Sequence, residues 1–154
     1  MAISALGKRQ YMLIGKLLVN RHPDIANVLI KEISTDKPEQ VDLALLPGYF
    51  NSFCELLNLN PSEYKGALKT TSKVDIRRLF ISVMLHYYSP GSYHHPPDYI
   101  TIRFGFTKAI SEAMGIDIGL TSRFIREVIS MEKIYEEYRD KVASTKQLLS
   151  NHKA

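Results

Sequence analysis

Residues 107–126 read TKAISEAMGIDIGLTSRFIR. The first half predicts a short helix that Thr107 can cap, with an apolar face made of Ala109, Ile110, Ala113 and Met114. Gly115 then tolerates the left-handed backbone of a tight turn, and Ile116 is placed to pack into the core. A second helix is predicted to begin near residues 119–120. The segment is therefore expected to form two helices joined by a turn.

The outer face of the second helix is predicted to carry polar and basic side chains, namely Thr121, Ser122, Arg123 and Arg126. The segment resembles the helix-turn-helix superfamily of bacterial and phage regulators, in which a glycine, an apolar residue, a polar stretch and a Ser-Arg pair recur. Here these are Gly115-Ile116 through Ser122-Arg123. The position before Ser122 is normally a buried aliphatic residue in that superfamily, and here it is Thr121. Leu120 would take this place in a shifted register.

The order of elements around this segment is also similar to the C-terminal DNA-binding domain of the replication initiator DnaA. A helix bearing Arg77-Arg78 is followed by a loop and then by the helix pair, although no ATP-binding Gly-Lys-Ser/Thr loop is present. Both resemblances imply binding to double-stranded DNA. The second helix would bring Thr121, Ser122, Arg123 and Arg126 to base edges. Phosphates would be neutralised by Lys108, Arg103, Arg77 and Arg78.

The remaining sequence also predicts helices. Residues 10–19 and 24–33 read as a helical hairpin, 47–57 as an aromatic-rich helix, and 73–88 as a helix with apolar residues three and four apart. At most one short extended segment is expected, near 100–104. The fold class is therefore all-α. An N-terminal helical region, 1–72, and a region 73–154 that contains the two-helix segment are expected to form one compact unit.

The C-terminal residues predict one long helix from about 121 to 149, on the order of 40 Å in length. Its apolar stripe includes Val128, Met131, Tyr135, Tyr138 and Val142. A helix of this length outreaches a small core. Either its C-terminal part folds back over the N-terminal helices, or the stripe pairs with another subunit in a homodimer or higher oligomer.

Composition limits the function classes. The net charge is +4 and the basic excess is spread along the chain, which permits contact with a polyanion. The start of the sequence lacks the layout of a secretory signal, and no apolar run approaches the roughly 20 residues of a membrane span, so a cytoplasmic protein is expected. The single cysteine, Cys54, lies in an apolar run and is expected to be a buried, inert thiol.

Catalytic and metal chemistry are not indicated. His94 and His95 are adjacent in a proline-rich loop without any metal-binding motif nearby, and His86 reads as a residue at a helix boundary. We therefore expect no metal, no cofactor, no small-molecule substrate and no enzymatic activity. A deep pocket with two or more converging titratable side chains would reopen the possibility of an enzyme.

The sequence is compatible with two functions. The first is a transcription or replication regulator of a bacterium, a phage or another mobile element, which reads duplex DNA through residues 107–131. The second is a phage structural or assembly protein, such as a DNA-packaging small subunit or a connector, in which the same helices make subunit contacts. A reading helix would leave Arg123 and Arg126 exposed, whereas an assembly helix would bury them against acids of a neighbour.

Overall fold

The computed structural model describes residues 6–35, 37–94 and 102–153, and nothing in these ranges forms a β-strand. The all-α fold class is therefore confirmed for this part of the chain. Seven α-helices follow one another within these ranges: α1 (Lys8–Arg21), α2 (Pro23–Thr35), α3 (Leu46–Leu56), α4 (Thr71–Tyr88), α5 (Phe106–Met114), α6 (Ile118–Ile134) and α7 (Glu136–Lys153). Short 3-10 turns lie at Leu43–Leu45, Pro61–Tyr64 and Pro90–His94. No helix of the described residues is long and apolar enough to cross a membrane.

Helix α4 is the centre of the fold. Its residues 79–85 are all buried, so the helix is enclosed on every side in this stretch. It packs against α3, α6 and α7. Two aromatic side chains of α3 reach the Phe80 ring, with ring centroids 5.1 Å away for Phe50 and 5.3 Å for Phe53. Core residues therefore come from both sides of position 72.

Helices α1 and α2 form the predicted hairpin, joined at His22. They pack mainly against each other, while α3 to α7 pack together around α4. We call residues 8–35 the hairpin and α3 to α7 the body. Of the hairpin side chains that the structure describes, only Ala26 is buried.

The predicted single helix over 121–149 is wrong. Tyr135 leaves helical geometry, with φ −107° and ψ 110°, and separates α6 from α7. The break turns α7 back onto α3 and α4, where Val142 and Leu149 become buried. An unbroken helix would carry these two side chains away from the core, so burial of the apolar stripe decides the geometry that local helix propensity leaves open. Of the two alternatives, the chain takes the fold-back.

Two boundary predictions also change. Thr107 does not cap α5, because the helix begins at Phe106 and already includes Thr107, and Gly105, at φ +82°, occupies the N-cap position. The extended segment expected near 100–104 lies partly outside the described residues, and within it 102–104 form no strand. Instead, the Arg103 backbone N–H donates to Ser89 Oγ at 3.1 Å, which ties this stretch to the end of α4.

Candidate nucleic-acid interface

The turn between α5 and α6 is built by three residues. Gly115 is left-handed, with φ +63° and ψ 40°, as its place in the sequence predicts. The Asp117 carboxylate then caps α6 by accepting from the Leu120 backbone N–H at 2.9 Å. Ile116 is half-buried against the core. Helix α6 begins at Ile118, one or two residues earlier than predicted, because Asp117 supplies the cap.

Thr121 does not reach the surface, so its prediction as a base-contacting residue is wrong. The side chain is fully buried, and its hydroxyl donates to the Asp117 backbone carbonyl at 2.9 Å. Leu120 is only partly buried against the core. Thr121 therefore occupies the buried position that precedes Ser122, and no shift of register toward Leu120 is needed.

The opposite side of α6 is exposed to solvent. Gly119, Arg123, Arg126 and Ser130 are exposed at spacings of three and four residues, and Ser122 is half-exposed beside them. We call these five residues the α6 outer face. The helix packs through its other side, where Phe124, Ile125, Val128 and Ile129 are buried. Two basic side chains thus project from a helix that the body holds in place.

The two arginines of the α6 outer face differ in their surroundings. Arg123 is highly exposed, and its Nε donates to Glu127 Oε1 at 3.0 Å. Arg126 has no hydrogen-bond or ion-pair partner among the residues that the structure describes. Arg126 is therefore the side chain of this face that is most available to an external anion.

Glu127 was not predicted as a functional residue, yet it controls the charge of this region. It also accepts from Arg78 Nη2 at 3.0 Å, and Arg78 Nη1 donates to Asp75 at the same distance. Partial burial would raise the pKa of Glu127, but hydrogen bonds from Arg78 and Arg123 outweigh this effect and lower it. The contact between Arg123 and Glu127 could have been predicted from the sequence, because the two residues lie four apart on one helix.

Arg77 is a structural residue, and its prediction as a phosphate contact is wrong. It is 2% exposed, and its Nη2 donates to the backbone carbonyls of Tyr64 at 2.9 Å and Gly66 at 2.5 Å. Burial lowers the pKa of its guanidinium. Arg77 therefore fastens the loop before α4, whereas the adjacent Arg78 remains partly exposed.

Arg103 is also engaged inside the chain. Its guanidinium donates to the backbone carbonyls of Gln40, at 3.3 Å, and Val41, and lies 5.9 Å from the centre of the Tyr88 ring. It holds the segment before α3 against the end of α4, so a phosphate would have to replace these contacts. Lys108 is exposed, with Glu112 3.9 Å away on the same helix. Of the four predicted phosphate contacts, Lys108 is exposed, Arg78 and Arg103 are partly exposed, and Arg77 is buried.

The predicted oligomerisation stripe is divided between the interior and the surface. Val128 and Val142 are buried within the chain, and the Tyr138 hydroxyl lies 2.7 Å from Ser82 Oγ. These three side chains are used by the body itself. Met131 is half-buried and Tyr135 is 58% exposed, so only these two members are accessible to another subunit.

A second polar cluster was not expected from the sequence. Glu132 is 3% exposed, and its Oε1 lies 2.7 Å from His86 Nε2. The His86 ring stacks on Tyr93 with centroids 4.4 Å apart. Glu132 continues the buried stripe of α6 at i+4 and i+3 from Val128 and Ile129, which is the signal that places it inside. His86 is therefore a partly buried partner of Glu132 and not simply a residue at the helix boundary.

This pair lines a cavity of about 320 Å³ together with Arg139, Asp140, Ala143 and Lys146. The arrangement brings two titratable side chains together, as a proton-transfer site requires. Among the residues that the structure describes, the lining contains no serine, threonine or cysteine. Burial raises the pKa of the only thiol, Cys54, to about 11, which keeps it protonated near neutral pH.

Comparisons of the chain with models of protein families, with curated proteins and with solved structures found no match. Across the ranges that the structure describes, no group of three or more histidine, cysteine, aspartate or glutamate side chains could hold a metal ion. Function is therefore inferred from the placement of side chains alone.

Proposed function

We propose that this protein binds double-stranded DNA through the α6 outer face, as a regulator of transcription or replication. The observation that carries the proposal is the exposed pair Arg123 and Arg126 on a helix whose other side is anchored in the body. A major groove admits one α-helix, and arginines on such a helix can donate to guanine O6 and N7. Ser122 lies beside them and can donate to a base or a phosphate.

The internal contacts refine which residues take part. Base contacts are assigned to Ser122, Arg123 and Arg126, while Lys108 and Arg78 contribute to phosphate binding. Arg123 and Arg78 would each exchange part of their bond to Glu127 for a bond to DNA. Because Glu127 competes with the nucleic acid for both arginines, it lowers the affinity of the protein for DNA.

The test is fluorescence-anisotropy binding to mixed-sequence duplex DNA over a salt series from about 50 to about 200 mM. We expect the parent affinity to fall steeply with salt, and the double variant Arg123→Ala, Arg126→Ala to bind at least about tenfold more weakly. A matched control, Lys69→Ala with Lys141→Ala, removes two exposed lysines outside this face and should keep most of the affinity.

Glu127→Gln gives an effect of opposite sign. It removes a negative charge beside the α6 outer face and releases Arg78 and Arg123, so we expect DNA affinity to rise several-fold. No binding by the parent at low salt would refute the proposal. Equal losses in the Arg123, Arg126 variant and in the lysine control would also refute it, because binding would then follow net charge rather than this face.

A further inference from the structure

The hairpin exposes apolar surface to an extent that the body does not. Fifteen large hydrophobic side chains are exposed in the described residues, and eight of them belong to the hairpin. Those eight are Met12, Leu13, Ile14, Leu17, Val19, Ile25, Val28 and Leu29. A soluble monomer rarely concentrates apolar surface in this way, and such a patch marks an interaction surface.

The arrangement around α1 indicates what kind of partner covers it. At 100° per residue, Met12 and Val19 lie on one side of the helix, and Leu13 and Leu17 lie roughly 100° or more away. Tyr11 and Leu18, which are half-buried, lie on a third side. A helix that lies on a membrane keeps its apolar residues on one side. Apolar residues on several sides instead suit a bundle, where other helices flank α1.

The charge of the hairpin narrows the geometry further. Helix α1 carries Lys8, Arg9, Lys16 and Arg21 and no acid, while the rest of the sequence holds sixteen basic and sixteen acidic residues. The whole net charge of +4 therefore resides in α1, and the basic excess is not spread along the chain as expected. Two α1 helices would repel each other. Helix α2 contains Asp24 and Glu32 against a single lysine, so it is the better electrostatic neighbour for α1.

We propose that the hairpin is the interface with a second copy of this chain, in which α1 of each copy packs against α2 of the other. The two hairpins would form an antiparallel four-helix bundle. Helices of 14 and 13 residues match in length. Eight side chains that are each about half exposed offer apolar surface on the order of several hundred Å² per copy, comparable with the roughly 800 Å² that each partner contributes to a standard interface.

This dimer does not depend on DNA binding. If the proposed function is also correct, the two-fold assembly would present two α6 outer faces, as a palindromic site requires. Salt separates the two interactions. Screening weakens DNA binding, whereas it reduces repulsion between two basic hairpins and should leave the dimer as strong or stronger.

The test is sedimentation equilibrium of the full chain, without DNA, from about 1 to about 100 µM protein and about 50 to about 500 mM salt. We expect a monomer–dimer equilibrium that does not weaken as salt rises. Leu13→Gln with Ile25→Gln, one change in each hairpin helix, should weaken dimerisation at least about tenfold. The matched control, Leu45→Gln with Leu148→Gln, alters two similarly exposed leucines outside the hairpin and should dimerise like the parent.

Several results would overturn the proposal. A parent that stays monomeric throughout the concentration range would do so, and so would a control pair that loses the dimer as fully as the hairpin pair. Binding of the monomeric parent to phosphatidylserine vesicles, lost in the Leu13, Ile25 variant, would assign the hairpin to membranes instead. Far-UV circular dichroism shows whether the Leu13→Gln, Ile25→Gln variant has lost its helices. If it has, the more conservative variant Leu13→Ala with Ile25→Ala is tested in its place. The Arg123→Ala, Arg126→Ala variant should dimerise normally, so failure of DNA binding leaves this test intact.

Discussion

The hairpin and the body treat charged and apolar residues in opposite ways. The body encloses Arg77 and Glu132, whereas the short hairpin exposes eight large apolar side chains, among them Met12 and Leu13, along with all four of its α1 cations. Hydrogen bonds replace water for part of each buried charge: Arg77 Nη2 donates to two backbone carbonyls and Glu132 Oε1 pairs with His86, while Arg77 Nε and Glu132 Oε2 have no hydrogen-bond partner in the described residues. A concentrated patch of exposed apolar residues marks an interaction surface. The body therefore buries its apolar side chains within the chain, while the hairpin leaves an apolar surface for the proposed partner.

The largest difference should appear in the reactivity of thiols. Cys54 is fully buried, and because burial raises its pKa to about 11 it should react with a thiol reagent only when the body unfolds. A cysteine introduced by Asn20→Cys, on an exposed position of α1, should react at least about a thousandfold faster.

Stopped-flow labelling of the Asn20→Cys variant therefore should resolve one fast and one slow thiol. The parent, with Cys54 alone, supplies the control for the slow phase. Equal rates for both thiols would mean that the body opens as readily as the hairpin surface, and the comparison would fail.

Truncation of leucine should separate the two regions next. Leu85→Ala removes a fully buried side chain from α4 and should lower the free energy of unfolding by about 2–5 kcal/mol. Leu17→Ala, in the hairpin, should change the unfolding of the body in dilute solution by less than about 0.5 kcal/mol. Urea titration followed by Cys54 labelling measures both. Similar losses in the two variants would show that the hairpin is part of the body's core.

The basic residues provide a third contrast. Arg77→Ala leaves the Tyr64 and Gly66 carbonyls without their donor and should cost about 2–3 kcal/mol of folding free energy. Arg9→Ala removes an exposed cation from α1, and its effect should stay within about 0.5 kcal/mol. Chemical denaturation of both variants at one pH provides the comparison. A cost for Arg77→Ala as small as that for Arg9→Ala would contradict its role in fastening the loop.

The smallest expected effect is the pH dependence of the contribution that Glu127 makes to folding stability. Its pKa is lower in the folded chain than the ordinary 4.5, so its contribution to stability is present above that value and is lost as pH falls through the folded pKa. Glu127→Gln lacks this titration. The stability of the parent relative to the variant should therefore decline below about pH 4.5. Denaturation midpoints of the parent and of Glu127→Gln, measured between pH 7 and pH 3, test this. If the two midpoints changed with pH in parallel, Glu127 would make no pH-dependent contribution.

Much of the candidate site was predictable because it depends on local spacing. Gly115 sits at the turn with the expected left-handed backbone, and Arg123 and Arg126 are exposed. Thr121, Arg77 and Arg103 could not be assigned in this way. The local pattern around each of them allows exposure. Each instead donates to a backbone carbonyl of the chain, which is far away in sequence for Arg77 and Arg103 and four residues away for Thr121.

The sequence by itself determined the all-α class, the approximate positions of the helices and the tight turn at Gly115, because periodicity, prolines and glycines act over a few residues. Only the tertiary structure decided the break at Tyr135, the burial of Glu132 against His86 and the separation of the hairpin from the body. These features depend on which faces meet across the chain. The free energy of burying an apolar stripe or pairing a buried charge is set by residues far away in sequence, and no local pattern contains it.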